Sequence, residues 1–350
     1  VSALSTAPAT GGAGVGAGFG VLVNANAKRA GRRVAVQIAR ALPAASVRLT
    51  RTLPELETWL RELQTQGDTR VIFAAGGDGT AIALVNALDK LLPKGEPLPT
   101  VGVLPLGTGN AWAHVTGAHK IGGCMEMLLA SPYARRGELP TRRVALLECD
   151  GVLAHFAGAG WDAQILEDFR AQLAESVGPT RRITKSVWGY LSAMLLRTAP
   201  KTILNGRTHV LVENLGDEVF TMTADRKLLK LAGVRRGDVL YDGLASSVGA
   251  ATCPEFGYGF RVYPFAERML DHINVRVYDR ATAAAIKDIP KLWRGVHPLR
   301  GMHDWFARHV RLTFSRDMAL QIGGDAVGER RTVEMKASDR NFRLVDWRQL

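Results

Sequence analysis

The residues of this chain best suited to chemistry lie in VIFAAGGDGT, residues 71–80. This short apolar run breaks at Gly76, Gly77, Asp78, Gly79 and Thr80 and continues with helix-forming composition from Ala81 to Leu92. A strand that stops in glycines and restarts as a helix presents bare backbone N–H groups beside a helix N-terminus, an arrangement that receives phosphate. Glycines there let the backbone take φ > 0 and approach a ligand that side chains would hold away. Asp78 is the only charged group in the loop, and an anion does not favour a carboxylate beside it. Metal binding and proton transfer are two roles open to it; a plain Asp-Gly turn is the third. VGVLPLGTGN, residues 101–110, repeats the pattern with Gly107, Thr108, Gly109 and Asn110 at another strand end. Two such loops on neighbouring parallel strands line one crevice at the carboxyl edge of an open α/β sheet.

The elements that must position these loops alternate in the βαβ manner. Phe19 to Asn24 reads as a strand, and Arg29 to Leu42 as a helix with Val34, Ile38, Ala41 and Leu42 at helical spacing. Ser46 to Leu49 is a short strand, and Pro54 stands in the first turn of a helix that runs to Gln66 with Leu56, Leu60 and Leu63 on one face. The two loop-bearing units follow, then a helix from Ile121 to Ala130. Such a series predicts a parallel sheet flanked by helices. Ser131 to Arg143, with its Pro, Gly and Arg residues, reads as a domain junction. Beyond it, Val144 to Cys149 and Val152 to Ala157 read as strands around an Asp150-Gly151 turn, and Gly158 to Asp162 leads into a helix. Trp188 to Arg197 is amphipathic, with Arg181, Arg182 and Lys185 upstream. It suits packing on its own domain or docking on a membrane. Strand-like runs then recur at His209 to Glu213, Val219 to Thr223, Val239 to Tyr241, Ala245 to Gly249, Phe260 to Tyr263 and Ile273 to Tyr278, which predicts a β-rich sandwich.

GGDGT followed by PLGTGN resembles the catalytic domain of the diacylglycerol kinase family, which includes sphingosine and ceramide kinases and bacterial diacylglycerol-kinase-like proteins. NAD kinases and 6-phosphofructokinases carry a loop like GGDGT; the GTGN partner favours the lipid kinases. The resemblance runs from about residue 19 to about residue 345 and takes in several further segments. Asn24 and Gly31 stand as remnants of the family's first loop, with Lys28 or Arg29 beside them, and Gly158 to Asp162 resembles a segment with Gly, an aromatic and Asp. Cys253 to Ala266 resembles a glycine-aromatic segment, although the Asp-Gly that usually follows reads Asp271-His272 here. Near the C-terminus the family carries Asp-Gly-Glu, and the matching residues are Gly323, Gly324 and Asp325, with Glu329 four residues on. Ile82 and Ala83 replace a common Asn and Glu, Asn86 matches, and Ala111 replaces a common Asp, as in sphingosine-kinase-like members.

The resemblance implies an ATP- and Mg²⁺-dependent phosphotransferase with an alcohol acceptor, acting on a diacylglycerol-like or long-chain-base lipid. Its implied parts are an α/β domain of NAD-kinase and diacylglycerol-kinase type over residues 19–140 and a β-rich lipid-substrate domain over 141–320. The resemblance has residues 321–350 return to an interdomain cleft; the composition of residues 1–18, mostly Gly, Ala, Ser, Thr and Pro, leads us to expect a disordered lead-in there. Asp78 and Asp325 are the implied catalytic acids, with Asp78 also the implied metal ligand. Asn24, Gly76, Gly77, Asp78, Gly79, Thr80, Gly107, Thr108, Gly109 and Asn110 are the nucleotide-binding set.

Composition bounds the partners. Lys plus Arg exceeds Asp plus Glu by 45 − 33 = 12, an excess that favours nucleotide or an acidic membrane surface. Nucleic acid is not expected, since no helix-turn-helix, zinc-finger or RNA-recognition signature is present. Cys124, Cys149 and Cys253 form no CxxC and are odd in number, which points to a reducing cytoplasm. No run reaches the roughly 20 apolar residues that span a bilayer, so any membrane association is peripheral. A homodimer is left open. Two other readings stand beside the lipid kinase: a soluble NAD-kinase-like enzyme, and a lipid or nucleotide sensor in which the altered Gly323 to Asp325 triplet has cost turnover. HExxH, GxSxG and a complete Walker A are all absent.

Overall fold

The computed structural model describes residues 16–27, 31–107, 110–176, 189, 192–256, 259–340 and 342–350. The chain divides into two compact units, Val1–Val144 with Asp339–Leu350, and Ala145–Ser338.

In the first unit β1 (Phe19–Asn24), β2 (Ser46–Thr50), β3 (Val71–Gly76) and β4 (Thr100–Pro105) run parallel. They alternate with α1 (Arg32–Ala41), α2 (Leu53–Gln66) and α3 (Asp78–Leu91). After β4 come α4 (Ala111–Thr116), α5 (Ile121–Ala130), α6 (Pro132–Arg136) and β5 (Thr141–Arg143). The strands are apolar almost throughout because both faces of the sheet are covered. On one face Val21, Val23, Phe73 and Ala75 share a core with Ile38 of α1 and Leu128 of α5. On the other, a Cβ at Gly20 would stand 3.0 Å from Leu63 and 3.3 Å from Trp59, both on α2. The limits of α2 are set by local chemistry. The Thr52 side chain accepts from the Glu55 N–H at its start, Pro54 fills the first turn, and Gly67 ends it in the left-handed region at φ 76°.

The last strand, β18 (Arg343–Val345), returns from the far end of the chain and lies between β4 and β5. The segment expected to be a domain junction therefore contributes β5, which pairs antiparallel with β18 at Arg142 and Leu344. Departure to the second unit and return from it are side by side. The return is firmly packed: Trp347 is fully buried with its ring centroid 6.0 Å from that of Phe73, and Phe342 lies 5.5 Å from Trp112. Arg340 donates to the Asp89 carboxylate and to the carbonyls of Asp89, Leu92, Pro93 and Glu96, which satisfies the C-terminal end of α3.

The second unit opens with a hairpin, β6 (Leu147–Cys149) and β7 (Val152–Ala154), around Asp150 (φ 48°) and Gly151 (φ 73°). Both residues are left-handed, as a two-residue type I′ turn requires. Next are β8 (Phe156–Gly160), α7 (Trp161–Glu175), a π-helical turn (Met194–Thr198) and α8 (Ala199–Asn205). The antiparallel series follows: β9 (Thr208–Asn214), β10 (Val219–Met222), β11 (Leu228–Lys230), β12 (Val239–Ala245), β13 (Ser247–Ala251) and β14 (Ile273–Tyr278). After α9 (Thr282–Trp293) it resumes with β15 (Met302–Ala307), β16 (His309–Ile322) and β17 (Asp325–Ala337).

β16 organises this unit. One of its edges pairs with β17; the other takes β9 over Val310–Phe314 and β8 over Leu320–Ile322. Two arms diverge from it, β9-β12 and β8-β13-β14-β15-β10-β11. Side chains of both arms enclose one core that includes Val210, Val212, Val248, Val275, Leu312 and Phe314. The β-rich fold class expected from the sequence is thus observed.

Several boundaries differ. Phe260 to Tyr263 is not a strand: the Arg261 N–H donates to the Trp293 carbonyl, and Phe260 packs 5.3 Å from the Trp293 ring. Residues 321–338 belong to β16, β17 and the loop beside them, so the return to the first unit begins at Asp339 rather than at 321. Of the expected helix Trp188 to Arg197, Trp188, Tyr190 and Leu191 lie outside the described residues; Ser192 and Ala193 are helical.

Candidate functional site

The carboxyl ends of β1, β3 and β4 carry most of the residues singled out in the sequence. β3 ends at Gly76, Gly77 is the N-cap, and α3 begins at Asp78, so Asp78, Gly79 and Thr80 form its first turn instead of a loop before it. None of Gly76, Gly77 and Gly79 has a positive φ. The value of glycine here is space, not left-handed backbone. A Cβ at Gly76 would lie 2.2 Å from Thr80 Oγ1, so the strand end and the helix start could not meet. A Cβ at Gly79 would meet nothing within 4 Å, which leaves the opening of the helix bare on its exposed side.

Long-range hydrogen bonds assemble the site. Asn24 Nδ2 at the end of β1 donates to Thr80 Oγ1 at 2.8 Å, and the amides of Leu106 and Gly107 donate to the Gly76 carbonyl at 2.8 and 3.1 Å. Asp78 joins the two glycine segments: its carboxylate accepts from the Ala111 N–H at 2.9 Å and the Trp112 N–H at 3.4 Å, at the start of α4. It performs the capping that Asn110 does not, since Asn110 Nδ2 turns back to the Gly107 carbonyl at 3.2 Å and its buried Oδ1 has no partner among the described residues. This structural duty of Asp78 was not foreseen, because a bond between residues 33 apart leaves no local signal. Thr108, Gly109, Lys28 and Arg29 lie outside the described residues.

The charge balance is uneven between the units. Lys and Arg exceed Asp and Glu by 19 − 11 = 8 in the first, two-thirds of the excess of the whole chain. Among the described residues no group of three His, Cys, Asp or Glu side chains could hold a metal ion. Asp78 is the one carboxylate within the nucleotide-binding set, and its two oxygens retain acceptor capacity beyond the amide bonds. Such a site fits Mg²⁺ bound through nucleotide phosphates and water with a single protein carboxylate, not a protein cage.

In the second unit, Asp325 opens β17 after Gly323 and Gly324, both left-handed at φ 59° and 88°. Its side chain is 69% exposed and paired with Arg170 of α7, whose guanidinium also donates to the Gly324 carbonyl at 3.4 Å. Asp162, absent from the set of candidate residues drawn from the sequence, is in a different state. Burial pushes its carboxyl above the usual carboxylate range, against the opposing bonds from Ser247 and Gln321. Ser247 Oγ donates to it at 3.0 Å, and its Oδ2 fills the space left by Gly158, where a Cβ would stand 2.5 Å away. Gly160, at φ 118°, makes the turn that places it; a Cβ there would meet the Ser246 carbonyl at 2.4 Å. The glycine spacing of Gly158 and Gly160 was the available signal.

Residues 19–133, which contain every residue of the candidate nucleotide-binding set, match the family model of the diacylglycerol kinase catalytic domain. This segment belongs to that family. Over 46 residues, 13% of this chain, the sequence is 50% identical to the eye-specific diacylglycerol kinase of Drosophila melanogaster, and the matched stretch spans 3% of that protein. The fold is shared over a much longer span. A diacylglycerol kinase structure from Bacillus anthracis str. Sterne superposes with a TM-score of 0.58 at 13% identity, covering 94% of this chain and 96% of that one. An NAD kinase from Archaeoglobus fulgidus, solved in complex with ATP, superposes with a TM-score of 0.51 at 13% identity over 95% and 96% of the two chains. The match to the diacylglycerol kinase catalytic domain ends within α6; beyond it the likeness is one of fold.

Proposed function

We propose that this protein is an ATP-dependent lipid kinase that transfers the γ-phosphoryl group to the hydroxyl of a diacylglycerol-like or long-chain-base lipid at a membrane surface. The observation that carries this reading is the pair of glycine segments tied together by Asp78 at the carboxyl edge of the sheet, within the stretch that matches the diacylglycerol kinase catalytic domain.

Phosphoryl transfer asks a protein chiefly for positioning and charge stabilisation. The start of α3 directs backbone N–H groups and the positive end of the helix dipole toward an anion. Gly79 leaves that approach open, while the Asn24 bond to Thr80 fixes the helix start against β1. Asp78 is the residue that would hold Mg²⁺, and the ion would supply neutralisation of the charge that develops on the phosphoryl oxygens. By analogy with the family's glutamate, Asp325 orients or deprotonates the acceptor hydroxyl. In this reading the enzyme is cytoplasmic and peripherally membrane-associated; no helix among the described residues is long and apolar enough to cross a membrane.

The fold shared with an NAD kinase makes NAD the alternative acceptor. The test is an acceptor panel: γ-labelled ATP with Mg²⁺, offered a total lipid extract in mixed micelles or NAD in solution. A labelled lipid is the expected product. Labelled NADP with no labelled lipid would replace this reading with that of an NAD kinase, and ATP binding without transfer to either acceptor would replace it with that of a sensor.

A further inference from the structure

The hairpin formed by β10 and β11 carries a combination that neither the core nor the kinase chemistry uses. Every residue from Ala224 to Lys230 is exposed. Two of them are adjacent leucines, Leu228 at 39% and Leu229 at 52% exposure. They lie on β11, a strand at the end of its arm that pairs with β10. Successive residues of a strand face opposite sides, so exposure of both leucines means that neither face of β11 is covered. Val239, where the chain re-enters the sheet at β12, is 53% exposed.

An edge strand is often blunted by lysines, which is the plainer account of Lys227 and Lys230. Both, however, are already neutralised: Lys227 pairs with Asp225 at 2.9 Å and Lys230 with Glu218. The cations left over are arginines. Arg226, Arg235 and Arg236 are exposed, and none has an acidic partner for its guanidinium among the described residues. Arg226 sits at the tip in the left-handed region, φ 64°. Across residues 223–239 together with Glu218, the partner of Lys230, the formal balance is 5 − 3 = +2. Paired apolar side chains flanked by unneutralised arginines suit a surface that offers hydrocarbon and phosphate together.

We propose that this finger, residues 223–239, docks on anionic phospholipid bilayers. Leu228 and Leu229 enter the boundary between headgroups and acyl chains, and Arg226, Arg235 and Arg236 engage lipid phosphates. The purpose of such docking rests on the lipid-kinase reading above.

The test separates the two. Binding of the full chain to vesicles of phosphatidylcholine, with and without phosphatidylglycerol, is measured by co-sedimentation. Three proteins are compared: the parent, Leu228→Gln with Leu229→Gln, and Arg235→Gln with Arg236→Gln. Lipid phosphorylation in detergent micelles is followed in parallel. Thermal midpoints equal to that of the parent establish that the exposed substitutions leave the fold intact. Anionic vesicles are expected to bind the arginine variant roughly 10- to 30-fold more weakly than the parent, at about 5-fold for each basic residue near the surface. The leucine variant is expected to lose at least about 10-fold. Micelle activity of both is expected to match the parent. Parent-like vesicle binding by both variants overturns the docking proposal and leaves the kinase reading intact. So does a leucine variant whose only change is a smaller mass in light scattering, which would make β11 a self-association edge. Finger-dependent binding by a parent that phosphorylates no lipid in micelles supports the docking site and removes the kinase reading.

Discussion

Replacing Gly79 by alanine separates what the opening of α3 does for the fold from what it does for a ligand. The added Cβ has open space, and the φ of Gly79 is not in the left-handed region, so the first unit has no steric reason to object. Position 79 is an exposed first-turn residue of a helix, where alanine in place of glycine stabilises by about 0.5–1 kcal/mol through the entropy of the unfolded chain. For a unit of 144 + 12 = 156 residues, this corresponds to a rise of roughly 1–4 °C in its unfolding transition, at about 2–4 °C per kcal/mol. In the proposed function the same methyl group stands where phosphate approaches the backbone. ATP affinity, measured by titration calorimetry, is therefore expected to fall at least about 10-fold, or about 1.4 kcal/mol. Gly76→Ala provides the contrast: its Cβ would lie 2.2 Å from Thr80 Oγ1, and the variant is expected to lose about 1–3 kcal/mol of stability. A Gly79→Ala protein that is more stable yet binds ATP as the parent does would refute the placement of phosphate at this helix.

Three further outcomes are expected. Arg340→Ala withdraws the donor from the Asp89 carboxylate and four carbonyls, and urea denaturation is expected to show a loss of about 3–5 kcal/mol. Burial raises the Asp89 carboxyl, but its bonds to Lys94 and Arg340 outweigh that and hold it below the usual carboxylate range. A carboxyl depressed in the folded state stabilises above its unfolded pKa of about 3.9 and loses that contribution as pH falls through the folded value. Acid unfolding below about pH 4 is accordingly expected to be steeper for the parent than for Asp89→Asn. Burial pushes the Cys124 and Cys149 thiols up to about 12, so a water-soluble thiol reagent at neutral pH is expected to label neither until the protein is denatured.

Much of the fold was legible where local signals and tertiary packing agree. β1 and α5 occur over the predicted residues, and α2 begins within one residue of Pro54; in α2 the apolar period, the Thr52 cap and Gly67 at its end coincide. Short elements held only by distant partners were not legible. β18 has three residues and exists because β4 and β5 flank it, and α9 contains Pro290, which reads as a breaker in sequence. The site was legible as a set of residues rather than as a geometry. The spacing of GGDGT and GTGN placed two strand ends together, but their connection through Asp78, and the bond from Asn24 to Thr80, join residues 33 and 56 apart. Asp162 was visible as part of a glycine motif; its burial against Ser247 depends on a strand 85 residues later.

The most direct test of the central claim compares the parent with Asp78→Asn in γ-phosphate transfer from ATP to lipid in mixed micelles. Asparagine keeps one oxygen acceptor for the amides of α4, so the variant is expected to fold with a thermal midpoint close to that of the parent, where alanine would cost a helix cap. The parent is expected to yield a labelled lipid and the folded variant to lose at least about 100-fold, the range of a group that acts in the transition state. A folded Asp78→Asn protein that labels lipid at the rate of the parent would show that Asp78 only caps α4, and would contradict its place in the chemistry.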